Sequence, residues 1–478
     1  MAAITSGHII GMVVTLLIIV GAGIYAGTKV KDEKDFSGAS RRAGSALVAG
    51  TIMGTLVGGS STIGTSQLAF RYGLDGWWFT LGAGIGCLFL GTFMLRPLYT
   101  SNKTTIPQYL SETYGPSIGP ISSVFTSLGI FINIIGQGLA AVALLTSIAH
   151  VSSTEALLIS VALVLAYVLA GGLEGTGIVG TIKLTLLYGA VIAAGGIALY
   201  KFGGIGGLYQ AFPEHFPWFS LFGRGFSVDF AAGFSLVVGV LSTQTYIQAV
   251  LSARSFGHAR AGALISAFFI PPVGIGGILV GLYMKSHIAE FPGLKSADVL
   301  PVFILHYMPP LLGGVVLATL VIAVVGTWAG LNLGISTMLT RDIYKRYIDK
   351  KADDKKALKV QRLLILGLCA ITVVAVSSNL GGLILGFSFL SMGLRGCSAL
   401  FPLLGAMFFK RYVTPAAGLL AAIFGPLTNV ICATLYPKAM DPLYPGLVVS
   451  AGVLIAVSLL TRKKPEGDVA VVDPRAGQ

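Results

Sequence analysis

Apolar residues dominate the chain in long blocks, and charged or turn-forming residues separate these blocks. Thirteen blocks reach about 20 residues, the length that an α-helix needs to cross the hydrocarbon core of a bilayer. Their predicted bounds are 8–28, 44–70, 74–96, 118–149, 154–171, 176–200, 227–253, 261–285, 310–340, 361–380, 382–409, 413–436 and 443–461. The pattern therefore predicts an all-α integral membrane protein with about 13 transmembrane helices.

Composition and charge agree with a membrane protein. The 478-residue chain is 54% hydrophobic and 11% charged, whereas a soluble domain carries about 25% charged residues. A net charge of +13 would suit a nucleic-acid partner, but 24 of the 32 Lys and Arg residues fall on one side of the predicted spans and 6 on the other. The positive-inside rule then predicts a multi-pass protein of the cytoplasmic membrane, with the N-terminus outside and the C-terminus inside. Its partner is the lipid bilayer, not a nucleic acid.

Three predicted spans look interrupted, two of them by glycine-rich stretches, and each glycine costs a helix about 1 kcal/mol relative to alanine. They are MGTLVGGSSTIGTSQ (Met53–Gln67), GVLSTQTYIQ (Gly239–Gln248) and VIAVVGTWAGLNLG (Val321–Gly334). Non-helical backbone within a membrane is tolerated where it lines a cavity. Interrupted segments five spans apart indicate an inverted-repeat secondary transporter. The alternative is that the glycines only allow close helix packing.

Four stretches resemble the solute:sodium symporter family, in order along nearly the whole chain. They are STQTYIQAVLSARS (Ser242–Ser255), DVLPVFILHYMPPLLGGVVLATLVIAVVGT (Asp298–Thr327), STMLTRDIYKRY (Ser336–Tyr347) and FPLLGAMFFKRYVTPAAGLLAAIFG (Phe401–Gly425). The resemblance implies inverted five-helix repeats, a core shared with neurotransmitter–sodium symporters, and transport by alternating access. One N-terminal and two C-terminal helices would be added to this core.

The resemblance also implies how the chain is organised, and we expect a monomer to be functional. Residues 1–43 would form an N-terminal peripheral helix and cytoplasmic loop, and residues 201–226 an extracellular connection between the repeats. The two inverted repeats would be residues 44–200 and 227–411. Two C-terminal helices (412–461) and a cytoplasmic tail (462–478) would follow.

A sodium site is carried over from the family residue by residue. The carbonyl positions at the break of the second span fall on Gly54 and Val57, and a ninth-span carbonyl falls on Ala323. The two adjacent hydroxyl positions fall on Gly326 and Thr327, so one hydroxyl is missing. A second sodium site found in some members falls on Gly180, Ala329 and Gly330, and we expect that site to be absent.

Lys183 lies within the sixth span, three residues or about one helical turn after Gly180. Some relatives in the wider fold that do not use sodium place a sixth-span lysine amine in the cation's position. Burial disfavours the charged form of lysine, so this amine would couple transport to protons, or serve as a fixed charge in a uniporter. In the alternatives, its stem snorkels to the cytoplasmic interface, or it acts on the substrate or on gating.

Arg395 is the other basic residue within a span, and no Asp or Glu lies in the middle of any span. Unpaired buried charge is costly and arginine binds carboxylates bidentately, which favours a small organic anion as the solute. Alternatively, Arg395 faces an outer vestibule or caps carbonyls, and the solute is a neutral sugar, polyol or amino acid. The other predicted substrate contacts are polar or aromatic: Ser60, Ser61, Thr62, Gln137, Gln244, Trp78 and Phe79.

Three functions compete at this point. The family resemblance favours a sodium symporter, whereas Lys183, Gly180 and Gly326 favour a sodium-independent carrier that is proton-coupled or uncoupled. A membrane sensor built on the carrier fold is the third. We expect no enzyme and no cofactor beyond sodium or a proton as coupling ion, because the spans contain no nucleophile–base or metal-ligand constellation.

Overall fold

The computed structural model is helical, and the described residues form no β-strand, only an isolated bridge between Ala43 and Ala253. It describes residues 4–27, 41–101, 103, 105–212, 216–436 and 440–462, with side chains for all of these except 20, 22–27 and 169–181. The tail beyond Arg462 lies outside this description, as do the surroundings of Gly180, so the expectations for them remain predictions.

The described residues of the N-terminal half form nine α-helices, joined in places by short 3₁₀ or π turns. They are α1 (Ser6–Gly27), α2 (Ser45–Leu56), α3 (Thr65–Tyr72), α4 (Trp78–Phe89), α5 (Leu95–Thr100), α6 (Ile106–Tyr114), α7 (Ile118–Ala149), α8 (Ser153–Lys201) and α9 (Ile205–Gln210). A π turn, Ser60–Gly64, precedes α3, and a 3₁₀ turn, Gly73–Trp77, follows it.

A further nine α-helices are formed by the described part of the C-terminal half. They are α10 (Phe226–Leu241), α11 (Gln244–Leu251), α12 (Phe256–Ser286), α13 (Val299–Tyr307), α14 (Pro310–Met338), α15 (Asp354–Ser377), α16 (Ile384–Phe408), α17 (Pro415–Leu435) and α18 (Leu443–Thr461). A π-helical segment, Leu339–Ile348, extends α14.

Nine of the described helical stretches are long and apolar enough to cross a membrane, or ten if the bent pair α10 and α11 forms one span. Further apolar helices of 10–17 residues cover three other predicted spans in part, at Ser6–Ile19, Ser45–Leu56 and Ser153–Val168. The predicted spans 154–171 and 176–200 are not separated, because α8 is one continuous helix. No proline lies between them to remove a helical hydrogen bond.

Two of the three predicted interruptions are breaks in the helix. α2 ends at Leu56, and Val57 is extended with φ −88° and ψ 98°. α11 begins after the extended Thr243, and it is bent by 44° from α10. The prediction of an interruption within 321–334 is wrong, because α14 is continuous there. Its glycines instead allow close packing: a Cβ on Gly334 would lie 2.5 Å from Thr245 Cγ2.

Packing between the helices places both breaks in the protein interior. α14 packs against α1, α2, α7 and α8, and α16 packs against α7, α10 and α17. α2 contacts α8 and α11, and backbone hydrogen bonds from Ala43 to Ser252 and from Arg254 to Ala43 join the start of α2 to the end of α11. The first break therefore lies near α8 and α14, and the second lies near α16.

Candidate functional site

The first break depends on two glycines that approach neighbouring helices closely. A Cβ on Gly58 would lie 2.2 Å from Thr327 Oγ1, and a Cβ on Gly59 would lie 2.4 Å from Ala140 Cβ. Because α2 stops at Leu56, carbonyls of its last turn lack intrahelical donors. These carbonyls form the negative end of the helix dipole, so the break presents a site suited to a cation.

The Lys183 side chain fills this site from α8. It is fully buried, and its Nζ donates hydrogen bonds to Gly54 O, Ala323 O and Thr327 Oγ1, the last two at 3.4 Å. Three acceptors match the three hydrogens of an ammonium group. The lysine stem therefore extends into the bundle, and in this structure it does not snorkel to a membrane interface.

Thr327 joins the remaining predicted oxygens to this cluster. Its Oγ1 lies 3.3 Å from both Gly54 O and Val57 O, so it connects α14 to the end of α2. The structure thus brings Gly54, Val57, Ala323 and Thr327 together around one amine. Their role as a cation site, or as its remnant, remains a prediction.

Gly326 occupies the position of the missing hydroxyl. The three atoms nearest to a Cβ there would be the Tyr167 hydroxyl oxygen at 3.4 Å, Tyr167 Cζ at 3.6 Å and Lys183 Cδ at 3.7 Å, which are ordinary contact distances. A Cβ therefore fits at this position, and the backbone of α14 would not need to move.

A second polar cluster lies on the other side of the first break. Gln137 on α7 accepts a hydrogen bond from Gly59 N at 2.9 Å and donates one to Ser60 Oγ at 2.8 Å. Ser60 Oγ lies 2.7 Å from Ser388 Oγ, and Ser388 donates to Asn133 Oδ1 at 3.1 Å. Asn133 and Ser388 were missed in the sequence, although Asn133 precedes Gln137 by four residues and therefore shares its helix face.

The other predicted substrate contacts are scattered. Ser61 and Thr62 donate their hydroxyl hydrogens to Gly58 O in the same span, at 2.9 and 2.8 Å. The Trp78 indole donates to Leu221 O in the connection before α10. These three side chains have partners of their own in this structure.

Phe79 and Gln244 also lie apart from each other. Phe79 is buried, with its ring centroid 6.2 Å from that of Phe389 on α16. Gln244 Oε1 accepts a hydrogen bond from Ile106 N at the start of α6, so it caps a neighbouring helix. The structure does not bring Gln244 to Ser60.

Arg395 lies at the second break. Its side chain is fully buried, and Nη1 donates to Thr243 Oγ1 at 2.6 Å. Nε and Nη2 donate to the carbonyl and hydroxyl oxygens of Ser391, one turn earlier on α16. Gly129 on α7 makes room for the stem, since a Cβ there would lie 2.6 Å from Arg395 Cγ.

A partly buried arginine provides a contrast. Arg224, in the connection before α10, forms ion pairs with Asp75 and Asp229, and both carboxylates are buried. Its guanidinium also lies 5.8 Å from the Tyr72 ring and 5.9 Å from the Phe389 ring. Arg224 is therefore paired with two buried acids, and these ion pairs join α10 to the turn after α3.

Comparisons with known proteins identify the family of this fold. The model of the sodium:solute symporter family matches residues 36–425. The osmoregulated proline transporter of Bacillus subtilis is 22% identical, over 95% of each chain. The sodium/proline symporter of Escherichia coli is 23% identical over 96% of this chain and 94% of that one. The high-affinity choline transporter of Torpedo marmorata is 24% identical, over 78% and 68% respectively.

Solved structures show the same fold. The substrate-bound, outward-open state of a Na⁺-coupled sialic acid symporter has a TM-score of 0.78 at 17% identity, over 95% of this chain and 98% of that one. A nucleobase–cation symporter in a closed conformation has a TM-score of 0.60 at 10% identity, over 88% and 93% respectively. At these identities the likeness concerns the fold alone.

Proposed function

The chain belongs to the sodium:solute symporter family, and on that premise we propose that it is a proton-coupled carrier in which the Lys183 ammonium replaces sodium. It would move a small organic solute across the cytoplasmic membrane by alternating access. The contact of Lys183 Nζ with Gly54 O, Ala323 O and Thr327 Oγ1 carries this proposal.

The chemistry of the oxygen cluster supports this replacement. A hard cation is held by several oxygens, and here an ammonium already takes those of α2 and α14. Because α2 and α14 belong to different proposed repeats, 44–200 and 227–411, the charged amine holds the two repeats together. A neutral amine has one hydrogen fewer and no charge, so loss of the proton weakens that connection and favours movement between the repeats.

Sodium symport is the second candidate function. Gly54 O, Val57 O, Ala323 O and Thr327 Oγ1 remain close together, as a sodium site requires. Sodium could use them only after the amine leaves, because Lys183 Nζ lies among the same oxygens. The missing hydroxyl at Gly326 would also leave the ion with one ligand fewer.

The proposed solute is a small organic anion such as a carboxylate. Curated relatives are named as transporters of proline, choline, glucose and pantothenate, so small organic molecules of different charge belong to this family. For this chain, the buried and basic Arg395 supports an anion. The N-terminus is proposed to lie outside and the C-terminus inside, with a monomer as the functional unit.

Uptake into proteoliposomes tests the proposal. Labelled proline, choline, glucose, pantothenate, acetate, lactate and pyruvate are offered with an imposed sodium gradient or an imposed proton gradient. We expect one solute to accumulate with the proton gradient, equally well when potassium replaces sodium. We expect Lys183→Gln to lose this accumulation, while Lys201→Gln, at the exposed end of the same helix, keeps it. Strictly sodium-driven uptake that Lys183→Gln leaves unaltered would contradict the proposal.

A further inference from the structure

Arg395 is a buried cation without an acidic partner. Its side chain is fully buried, and no carboxylate of the described residues forms an ion pair with it. Its hydrogen bonds go to Thr243 Oγ1, Ser391 O, Ser391 Oγ and Met392 Sδ, all of them uncharged. A buried charge is stabilised by pairing, and the paired Arg224 shows that this chain has acids for that purpose.

The backbone around Arg395 adds to the positive charge. The guanidinium bonds to Thr243, the residue that precedes the first turn of α11. No side chain caps that helix start, and the first N–H groups of a helix have no intrahelical acceptors. The positive end of the helix dipole thus lies beside a positive side chain, an arrangement that an anion would stabilise.

Two buried hydroxyls at the same break have no acceptor for their hydrogens. Ser242 and Tyr246 are fully buried, Ser242 Oγ forms no hydrogen bond, and the Tyr246 hydroxyl donates to no oxygen. The Tyr246 phenol interacts electrostatically with the Arg395 guanidinium. A buried hydroxyl whose hydrogen has no acceptor is costly, so both residues indicate a polar ligand that binds at this break.

We propose that Arg395, the Tyr246 hydroxyl and the first turn of α11 bind the carboxylate group of the transported solute. The proposal rests on the transport function proposed above and assigns the groups that would bind the carboxylate of its solute. Arginine matches a carboxylate with two parallel N–H···O bonds. On binding, the carboxylate oxygens of the solute would accept the Arg395 N–H groups that now donate to Thr243 and Ser391. The hydroxyls of Thr243 and Ser391 would still donate to Gly239 O and Gly129 O, respectively.

Ligand-dependent thermal stability of the purified full chain in detergent tests this site without any ion gradient. Potassium acetate, propionate, lactate and pyruvate are each titrated against potassium chloride at constant ionic strength, and a separate series exchanges chloride for methanesulfonate. We expect at least one carboxylate to raise the melting temperature of the wild type. In Arg395→Gln its apparent affinity should fall at least tenfold, and in Arg395→Lys it should fall less, because lysine keeps the charge but not the bidentate geometry.

Two further variants make the result decisive. Arg71→Gln removes an exposed arginine that bonds only to Ser296, and it should bind the carboxylate as the wild type does. Tyr246→Phe keeps Arg395 and removes a hydroxyl that donates to no acceptor, so it should weaken binding severalfold with little change in the melting temperature of the free protein. This second variant decides the question if Arg395→Gln does not fold.

Three results would overturn the assignment: no carboxylate stabilises the wild type, Arg395→Gln and Tyr246→Phe both bind as tightly as the wild type, or chloride alone gives the Arg395-dependent rise. The last would identify a chloride site instead of a solute site. None of these results concerns Lys183 or the coupling ion, so the two proposals fail separately.

Discussion

The two helix breaks each hold one buried basic residue, but they differ in which end of a helix that residue faces. At the first break, Lys183 donates to Gly54 O in the last turn of α2 and to Ala323 O and Thr327 Oγ1 on α14. At the second break, Arg395 bonds to Thr243, immediately before the first turn of α11. Lys183 therefore lies at the carbonyl end of α2, whereas Arg395 lies at the N–H end of α11.

This difference in helix polarity explains why the two residues are assigned opposite partners. A helix C-terminus carries partial negative charge and a helix N-terminus partial positive charge. Lys183 Nζ has three oxygen acceptors from the protein in this structure, so the proposed ammonium would need no further ion. The guanidinium of Arg395 is not neutralised by its surroundings, so it is suited to an anion that enters and leaves.

Arg224 is the control for Arg395, because it forms structural ion pairs with two buried acids, Asp75 and Asp229. We expect Arg224→Gln to cost about 3–5 kcal/mol of stability, since it leaves two buried carboxylates without a counter-charge. Arg395→Gln should cost less, because it removes a charge that no acid balances. Melting temperatures in detergent measure both effects.

Arg254→Gln is the matched control for these two variants. Arg254 is exposed and bonds to His258 one turn away, so its replacement should change stability little. If Arg395→Gln lowers the melting temperature as much as Arg224→Gln does, then Arg395 is a structural residue and the contrast between the two arginines is lost.

The sequence was enough to predict the first break in detail. Gly58 and Gly59 marked the interruption, and the family pattern placed Gly54, Val57, Ala323 and Thr327 around it. Lys183 stood out because ionisable residues within a span are rare. These residues are separated by up to 273 positions, yet helix spacing and the family resemblance were enough to predict that they lie together.

The second break was predicted less well, because the directions of side chains there depend on where α11 begins. Gln244 was expected at the solute, but in the first turn of α11 it turns to Ile106. Arg395 was identified by its charge, whereas its partners Thr243 and Ser391 were not. The four-residue spacing of Ser391 and Arg395 on α16 was a usable signal, since such residues share one helix face.

The first break should become a sodium site when its amine is removed and its missing hydroxyl is restored. Lys183→Gln combined with Gly326→Ser would leave the oxygens of Gly54, Val57, Ala323 and Thr327 and add a new hydroxyl where a Cβ has room. Sodium should then stabilise the double variant by about 2.7 kcal/mol at roughly a hundred times its dissociation constant. The measurement is the melting temperature in sodium chloride against potassium chloride.

The single variants and an unrelated lysine complete this test. Gly326→Ser alone should show no preference for sodium, because the ammonium still takes the oxygens, and Lys183→Gln alone should show a smaller one than the double variant. Lys201→Gln should behave as the wild type does. Equal melting temperatures of the double variant in sodium and potassium would show that the oxygen cluster is not a cation site.

At the second break, Gly129→Ala tests position separately from charge, because it changes no ionisable group. The new Cβ would lie 2.6 Å from Arg395 Cγ and 3.2 Å from Ser391 O, so the stem of Arg395 or the α7–α16 contact must shift. Overpacking of this kind costs about 1–3 kcal/mol. Gly367→Ala, on α15 with nothing within 4 Å of its Cβ, is the matched control and should be neutral or slightly stabilising.

We expect Gly129→Ala to weaken carboxylate-dependent stabilisation as well as the fold, since an arginine pairs bidentately only when its orientation is correct. Carboxylate binding that survives unchanged in a destabilised Gly129→Ala protein would mean that charge alone suffices at this break and that the geometry of Arg395 does not select the solute.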